Sequence, residues 1–266
     1  MIDTFIDYEL LRAFNADGFK QRAPFPWHNL RGFLTPEGFR ALYDEFPPLE
    51  LFEYHNGIQR AYGQRPHNRY YLAYESSIYH AGDAPQSGVV RHEQLPSAWR
   101  RFMDELETSE EYHAFAHRVL DVPAFSTRYA WHVGSQGSEV SPHLDAPEKL
   151  GTHILYFNTS EEWDAAWGGA TLVLGGKQTA AMNPDFTDFA TRDEARITDN
   201  HSFLFKNTPH SWHGATALAC PEGSYRRLFN VIFETPQVGA GRSPYITAAP
   251  SAARRLFGRA RTLLGF

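Results

Sequence analysis

Two short motifs in the second half of the chain carry side chains that could share a metal ion. The first, Ser141-Pro-His-Leu-Asp145, contains a His-x-Asp pair, and on an extended backbone residues i and i+2 point to the same face. The second, Asn207-Thr-Pro-His-Ser-Trp-His-Gly214, offers a further histidine. Two histidines and one carboxylate occupy one face of a metal and leave positions open for other ligands, which suits iron(II). The two motifs therefore predict an open metal site.

The His-x-Asp spacing is weak evidence on its own. The chain has 13 histidines, so such a pair arises by chance in many chains of this size. Without other motifs, the segment from Pro142 to Pro147 is better explained as a surface turn. The second motif and the arginine-bearing stretch that follows it, Tyr225 to Phe233, favour a metal site.

The elements that must position these side chains are predicted to be strands. From about residue 125 the apolar residues come in short β-branched and aromatic runs separated by Gly, Pro and Asn, which is typical of an all-β sandwich or barrel. Strands are predicted at residues 125–133, 151–157, 170–174, 202–206 and 226–234.

Helices and loops are predicted before these strands. Thr35 and Pro36 have the residue types of a helix cap and first turn, and an apolar stripe follows them as far as Pro47. A capping box at Thr108 to Glu111 introduces the last of the other helices. Those helices are predicted at residues 6–14, 96–107 and 109–119. Residues 49–95 lack periodicity and are expected to form loops or short strands near the mouth of a site.

Composition predicts one globular domain in a reducing compartment. The chain has 266 residues, of which 42% are hydrophobic, and chains of this length often form a single sandwich or barrel. Its one cysteine, Cys220, excludes an internal disulfide and a cysteine-rich zinc site, which indicates the cytoplasm. No secretory signal or membrane-spanning run is visible. The net charge is −6 and the basic residues cluster after Glu234, so the acidic body argues against nucleic acid.

Several motifs in a fixed order resemble the 2-oxoglutarate and iron(II) dependent oxygenase superfamily, and most of all its prolyl-4-hydroxylase-like branch. The resemblance covers about residues 125–234. It rests, in chain order, on His143-Leu-Asp145, Tyr156-Phe-Asn158, Trp163-Asp-Ala165, Gly168-Gly169, Ser211-Trp-His-Gly214 and Arg226. It implies a mainly β fold with flanking helices around a double-stranded β-helix, or jelly-roll, core.

The resemblance also implies roles for individual residues. His143, Asp145 and His213 would bind Fe(II), and no other catalytic residue is implied. Tyr156 and Arg226 would hold the distal carboxylate of 2-oxoglutarate, a role that fits the bidentate fork of arginine and the hydroxyl of tyrosine. The implied reaction uses dioxygen to hydroxylate a C–H bond and releases succinate and carbon dioxide. The presence of Asp145 argues against the halogenating variant, which needs that ligand position for halide.

Two assignments stay open at the level of sequence. His210 is the alternative to His213 as the third ligand, although the Ser-Trp-His-Gly context around His213 matches the superfamily. Arg226 and its neighbour Arg227 point to opposite faces of the last strand. Leu228 stands where many members of the superfamily carry a serine beside the arginine, which leaves part of the carboxylate clamp undefined.

Residues 1–240 are expected to form a single oxygenase domain, with a helical and loop part in 1–124 and the β-barrel core in 125–235. Residues 241–266 have the pattern of a basic amphipathic tail, with apolar residues at helical spacing among arginines. Such a tail is suited to peripheral contact with the inner face of a membrane, or to docking on its own domain or on a partner.

Two other functions use the same residues. A zinc hydrolase would fill the triad with Zn²⁺ and activate water. A non-catalytic jelly-roll binding module would bind no 2-oxoglutarate. For the oxygenase, the expected substrate is a small molecule or peptide: an amino-acid side chain, a peptide, or a sugar- or lipid-linked metabolite. No nucleic-acid partner is expected.

Overall fold

Two mainly antiparallel sheets form the body of the protein in the computed structural model, which describes residues 2–58, 65–76, 87–236 and 245–246. Helices cover the outer face of the larger sheet. The fold is therefore mainly β with flanking helices, as the sequence predicts. The predicted amphipathic helix of the tail, from Ala252 onward, lies outside the described residues. Within the described ranges no helix is both long and apolar enough to cross a bilayer.

Four helices begin and end close to their predicted bounds, and a short fifth helix at residues 16–20 was not predicted. Within the described ranges they are α1 Tyr8–Ala13, α2 Ala16–Lys20, α3 Pro36–Asp44, α4 Ser97–Thr108 and α5 Glu110–Leu120. Thr35 caps α3 as predicted, because its side chain accepts a hydrogen bond from Gly38 N. The capping box predicted at Thr108 is wrong. The structure places Thr108 at the end of α4, and Ser109 alone caps α5, through Tyr112 N.

The larger sheet follows the order β1-β10-β7-β12-β5-β3-β2, with β4 and β13 paired at its side, and the smaller sheet follows β6-β11-β8-β9. The strands are β1 Trp27–Arg31, β2 Glu53–Ile58, β3 His67–Tyr74, β4 Val89–Val90, β5 Ala124–Gly134, β6 Val140–His143, β7 Lys149–Tyr156, β8 Thr171–Lys177, β9 Phe189–Ala195, β10 His201–Lys206, β11 His213–Ala215, β12 Arg226–Glu234 and β13 Tyr245–Ile246. All five predicted strands are present.

Residues 1–124 contribute strands to the larger sheet as well as the predicted helices and loops. Short strands were expected only within residues 49–95, and β1 lies outside that range. From that part of the chain, β1 pairs with β10 at one edge of the larger sheet, and β2 and β3 extend its other edge beyond β5. Residues 71–74 of β3 are buried on both faces of the sheet, so the strand lacks the alternation of apolar and polar residues that marks a half-buried strand. The β core therefore starts well before residue 125.

The helix layer holds the larger sheet through a shared aromatic core. The Trp99 ring of α4 lies 5.1 Å from both Trp131 of β5 and Phe229 of β12, measured between ring centroids. Burial of each such side chain contributes about 1.5–3 kcal/mol. Because side chains alternate along a strand, anchoring Phe229, Val231 and Phe233 toward the helices turns the intervening residues of β12 toward the smaller sheet.

His153 on β7 is a buried, neutral member of this core. Its Nδ1 lies 3.2 Å from the Tyr112 hydroxyl and its Nε2 lies 2.9 Å from Ser202 Oγ. Burial lowers the pKa of His153 from its ordinary 6.5 to about 3. The unfolded chain therefore binds a proton at this residue in a pH range where the folded protein does not.

This shift gives a testable pH dependence of stability. Because the folded pKa lies below the unfolded one, the stabilisation is complete above pH 6.5 and is lost as the pH falls toward about 3. His153→Gln removes the titration, so we expect the gap in unfolding free energy between wild type and variant to shrink by roughly 2 kcal/mol between about pH 7 and about pH 5. Urea unfolding of the metal-free proteins measures this gap. An equal gap at both pH values would contradict the assignment of a neutral His153.

Candidate functional site

A cavity of about 610 Å³ lies between the two sheets, a volume suited to a small-molecule site. The larger sheet lines it with residues of β5, β7 and β12, and the smaller sheet with residues of β6, β8 and β11. On β12 the lining side chains are Arg226, Leu228, Asn230, Ile232 and Glu234. Of the two registers that the sequence permits for this strand, the structure has the one with Arg226 inward.

His143, Asp145 and His213 meet at one point of this cavity. Their potential ligand atoms all lie within 4.8 Å of one another, and no other group of three or more histidine, cysteine or acidic residues in the described ranges could hold a metal in this way. His143 ends β6 and His213 begins β11, and the two are direct partners in the β ladder. Backbone pairing alone therefore brings together two residues that are 70 positions apart in the sequence.

Both histidine rings are oriented by a hydrogen bond to the backbone carbonyl oxygen two residues earlier. His143 Nδ1 lies 2.9 Å from the carbonyl oxygen of Ser141, and His213 Nδ1 lies 2.8 Å from that of Ser211. A carbonyl can only accept, so each Nδ1 carries the proton and each Nε2 keeps a lone pair for a metal. Burial lowers the pKa of His143 to about 3 and also lowers that of His213. Both imidazole rings are therefore neutral at physiological pH, and each Nε2 can donate its lone pair to a metal.

His210, the alternative third ligand, takes no part in this cluster. It lies exposed in a turn, and its backbone N–H bonds to the Thr208 side chain. The sequence motif contains both histidines, but only His213 reaches the other two side chains.

Asp145 is ionised and forms an ion pair with a lysine. Burial opposes ionisation, but the ammonium of Lys149 outweighs it and lowers the pKa of Asp145. Lys149 Nζ lies 2.6 Å from Asp145 Oδ1. Two neutral imidazoles and one carboxylate match the donor set that iron(II) accepts, so the residues present fit that metal.

A half-buried amide ties the two ligand-bearing segments together. The Asn207 amide donates to the carbonyl oxygens of Ala146 and Lys149, at 3.0 and 2.9 Å. Its Oδ1 accepts a 2.9 Å hydrogen bond from the hydroxyl of Ser211, whose carbonyl oxygen in turn orients His213. Asn207 therefore joins the turn after Asp145 to the loop before His213, a role that no sequence spacing reveals.

Removing this amide should weaken metal binding without touching a ligand. Outer partners of metal ligands typically contribute about 10- to 100-fold to metal affinity, and we expect a loss in this range for Asn207→Leu. Titration of the metal-free protein with Mn²⁺ would measure it. Asn29→Leu is the matched control, because the Asn29 side chain also makes three hydrogen bonds, all of them to backbone groups around β10 and away from the metal cluster. Unchanged affinity in Asn207→Leu, or an equal loss in both variants, would contradict this role.

Arg226 is a buried cation that also lines the cavity. Its Nε donates to the Gly169 carbonyl oxygen at 2.6 Å and a terminal nitrogen lies 3.2 Å from Thr171 Oγ1. Burial lowers the pKa of Arg226, but a guanidinium stays charged in proteins. Among the residues that the structure describes, no carboxylate lies within 4.0 Å of it. A buried charge without a counter-ion is costly, so this end of the cavity favours an anionic ligand.

Gly169 gives Arg226 the room it needs. Gly169 has a φ of +85°, and a Cβ at this position would lie 2.9 Å from Arg226 Cδ. The Gly168-Gly169 motif, predicted to form a tight turn, therefore also allows the close approach of the arginine.

Tyr156 reaches the same region indirectly. Its hydroxyl lies 2.6 Å from Thr171 Oγ1, and the guanidinium carbon of Arg226 lies 5.3 Å from the centre of its ring. Arg226 and Thr171 line the cavity, whereas Tyr156 lies behind them. Burial raises the pKa of Tyr156, so its phenol remains a neutral donor. Thr171, the first residue of β8, is a potential anion contact that the sequence patterns do not single out.

Arg227 faces the opposite side of β12 and is paired. It lies 2.6 Å from Glu162, and its guanidinium carbon lies 4.6 Å from the centre of the Tyr43 ring. These contacts tie β12 to α3 and to the segment before β8. Arg227 is therefore committed to the fold, and Arg226 is the arginine available to a ligand.

Comparisons with known proteins find the fold but no near relative. No known family profile matches the sequence, and no curated protein is similar to it. A prolyl-4-hydroxylase from Pseudomonas putida has a TM-score of 0.54 and 14% identity over 85% of this chain and 100% of its own. An oxidoreductase of the 2OG-Fe(II) oxygenase family from Burkholderia pseudomallei has a TM-score of 0.56 and 14% identity over 87% of this chain and 96% of its own.

A third similar structure is that of an enzyme described as a carbocyclase, not as a hydroxylase. The non-haem α-ketoglutarate dependent carbocyclase SnoK from nogalamycin biosynthesis has a TM-score of 0.54 and 13% identity over 87% of this chain and 90% of its own. These similarities confirm the predicted jelly-roll fold, which the chain shares with 2-oxoglutarate and Fe(II) dependent oxygenases. They do not specify a reaction, because fold and function are separable.

Proposed function

We propose that the protein is an Fe(II) and 2-oxoglutarate dependent dioxygenase that hydroxylates a C–H bond of a small molecule or peptide. His143, Asp145 and His213 bind the iron, and Arg226 binds the distal carboxylate of 2-oxoglutarate. The observation that carries the proposal is one cavity that holds both a cluster of three metal-binding side chains and a buried arginine without an acidic partner in the described ranges. The sheet pairing of β1 to β3 with the core supports one domain across residues 1–240.

Each part of the cavity has a task in this reaction. His143, Asp145 and His213 would hold the metal through three donors and would leave its other positions to the 2-oxo acid and dioxygen. Arg226 and Thr171 anchor the far end of the 2-oxo acid, and the Tyr156 hydroxyl holds Thr171 in place. Phe205, whose ring centroid lies 4.6 Å from that of His213, shields the metal centre from water. With iron bound, 2-oxoglutarate and dioxygen supply the oxidising power, and succinate and carbon dioxide are released.

A zinc hydrolase with the same triad is the strongest competing function. Zn²⁺ accepts two histidines and a carboxylate, so the metal cluster alone does not separate the two functions. Arg226 favours the oxygenase, because activating water at zinc needs no buried cation in the same cavity. A non-catalytic binding module would not require three convergent ligands held by a dedicated hydrogen-bond network.

Metal-specific turnover tests the proposal. Protein stripped of metal and reloaded with Fe²⁺ or Zn²⁺ would be incubated aerobically with 2-oxoglutarate, and succinate would be measured by mass spectrometry. We expect succinate only with iron, and less of it in Arg226→Leu. Hydrolysis of ester or amide substrates by the zinc form, with no succinate from the iron form, would overturn the proposal in favour of the hydrolase.

A further inference from the structure

Lys149 lies against one oxygen of the only carboxylate in the metal cluster. Its Nζ is 2.6 Å from Asp145 Oδ1, and the lysine and aspartate side chains are only 22% and 9% exposed. Among the described residues, the other oxygen, Oδ2, accepts no hydrogen bond. The aspartate therefore offers one oxygen that is already engaged and one that is available.

The position of Lys149 is fixed by its surroundings. Its backbone N–H donates to Ala146 O at 3.0 Å, closing the turn after Asp145, and its carbonyl oxygen accepts from the Asn207 amide at 2.9 Å. Lys149 is also the first residue of β7 and lines the cavity. The ammonium is therefore held at the carboxylate and is not a mobile surface charge.

The number of ligands explains why this contact matters. An octahedral metal has six positions, and two histidines with one carboxylate oxygen occupy three of them. A bidentate 2-oxo acid takes two, which leaves one for dioxygen. Carboxylates also bind metals through both oxygens. If Asp145 did so, its second oxygen would take the position that dioxygen needs.

We propose that Lys149 is a positioning residue that holds Asp145 as a one-oxygen ligand and so keeps the last coordination position open. This inference rests on the proposed function. An ammonium beside a divalent cation repels it, so stronger metal binding does not explain a lysine at this place. Keeping one coordination position free for dioxygen would explain why a lysine lies beside Asp145.

Nitric oxide, which binds iron(II) where dioxygen would, reports on this position directly. Wild type, Lys149→Met and Lys149→Arg would be loaded anaerobically with Fe²⁺ and 2-oxoglutarate and titrated with nitric oxide, following the electron paramagnetic resonance signal of the nitrosyl complex. Lys149→Met keeps an unbranched side chain of nearly the same length but cannot donate a hydrogen bond, whereas Lys149→Arg can. Lys20→Met is the matched control, because Lys20 also pairs with an aspartate, Asp17, but on α2 and at 3.6 Å.

We expect Lys149→Met to bind Fe²⁺ at least as tightly as wild type but nitric oxide about 10- to 100-fold more weakly, the range typical of lost outer contacts at metal sites. Lys149→Arg and Lys20→Met should behave as wild type.

Wild-type nitric oxide affinity in Lys149→Met would overturn the inference and leave the proposed function intact, as would loss of Fe²⁺ binding in that variant. Failure of wild type itself to bind Fe²⁺ and 2-oxoglutarate would instead overturn the proposed function. Should Lys149→Met not fold, Lys149→Gln, which retains a donor but no charge, should bind nitric oxide as wild type does, and a loss of affinity would overturn the inference.

Discussion

Replacing His213 with alanine is expected to abolish specific metal binding. His213 supplies one of two neutral nitrogens, and its tautomer is fixed by the Ser211 carbonyl oxygen at 2.8 Å. Within the described ranges no other histidine belongs to the cluster, and the exposed His210 lies outside it. We expect a loss in Fe²⁺ affinity of more than about 100-fold, since outer partners alone contribute up to that amount. Anaerobic Fe²⁺ titration with a competing chelator would measure it.

His210→Ala is the control for this variant. It removes an imidazole from the same motif, three residues away, while leaving the cluster complete. We expect Fe²⁺ affinity equal to that of wild type. If His210→Ala loses the metal and His213→Ala keeps it, the ligand assignment is wrong, and the loop before β11 must take another arrangement when metal binds.

Replacing Arg226 with leucine is expected to weaken 2-oxoglutarate binding while sparing the fold. A hydrogen-bonded contact to a charged group contributes about 1.5–3 kcal/mol, which corresponds to a loss of about 10- to 100-fold in affinity. The metal-free variant should be at least as stable as wild type, because the substitution removes a buried charge that lacks an acidic partner in the described ranges. Fe²⁺ affinity should not change. Calorimetric titration and urea unfolding give the two quantities.

Arg227→Leu should show the opposite pattern. It removes the ion pair with Glu162 and the contact with the Tyr43 ring, so we expect lower stability and an unchanged affinity for 2-oxoglutarate. The two arginines are adjacent in sequence and lie on opposite faces of one strand. Equal effects of the two substitutions on 2-oxoglutarate affinity would contradict the assignment of Arg226 as the anchor.

The sequence predicts the core of this fold better than its edges. The strand β12 was recognisable because its apolar residues are β-branched or aromatic and short turns bound it. The strand β3 was not, since Tyr71 to Tyr74 are covered on both faces and show no alternation. β1 depends on its ladder with β10, more than 160 residues later, and such pairing leaves no local signature.

The candidate site shows the same division. Its ligand cluster lies within two short motifs, and the order of these motifs with the later arginine, together with the resemblance, nominates His143 and Asp145 where their spacing alone does not. The supporting groups Asn207 and Thr171 act through contacts with residues distant in sequence, and Lys149 acts through Asp145, four positions earlier. Residue type alone does not distinguish any of the three from ordinary polar residues. The choice between Arg226 and Arg227 needed the packing of Phe229 against Trp99.

The central claim is that one cavity binds Fe²⁺ and 2-oxoglutarate together. The most direct test is an anaerobic titration of the Fe²⁺-loaded protein with 2-oxoglutarate, following the visible metal-to-ligand charge-transfer absorption that arises when the 2-oxo acid chelates iron. We expect a saturable band in wild type, no band in His213→Ala, and a band in Arg226→Leu that needs a higher concentration of 2-oxoglutarate. Absence of the band in wild-type protein that demonstrably holds iron would contradict the account.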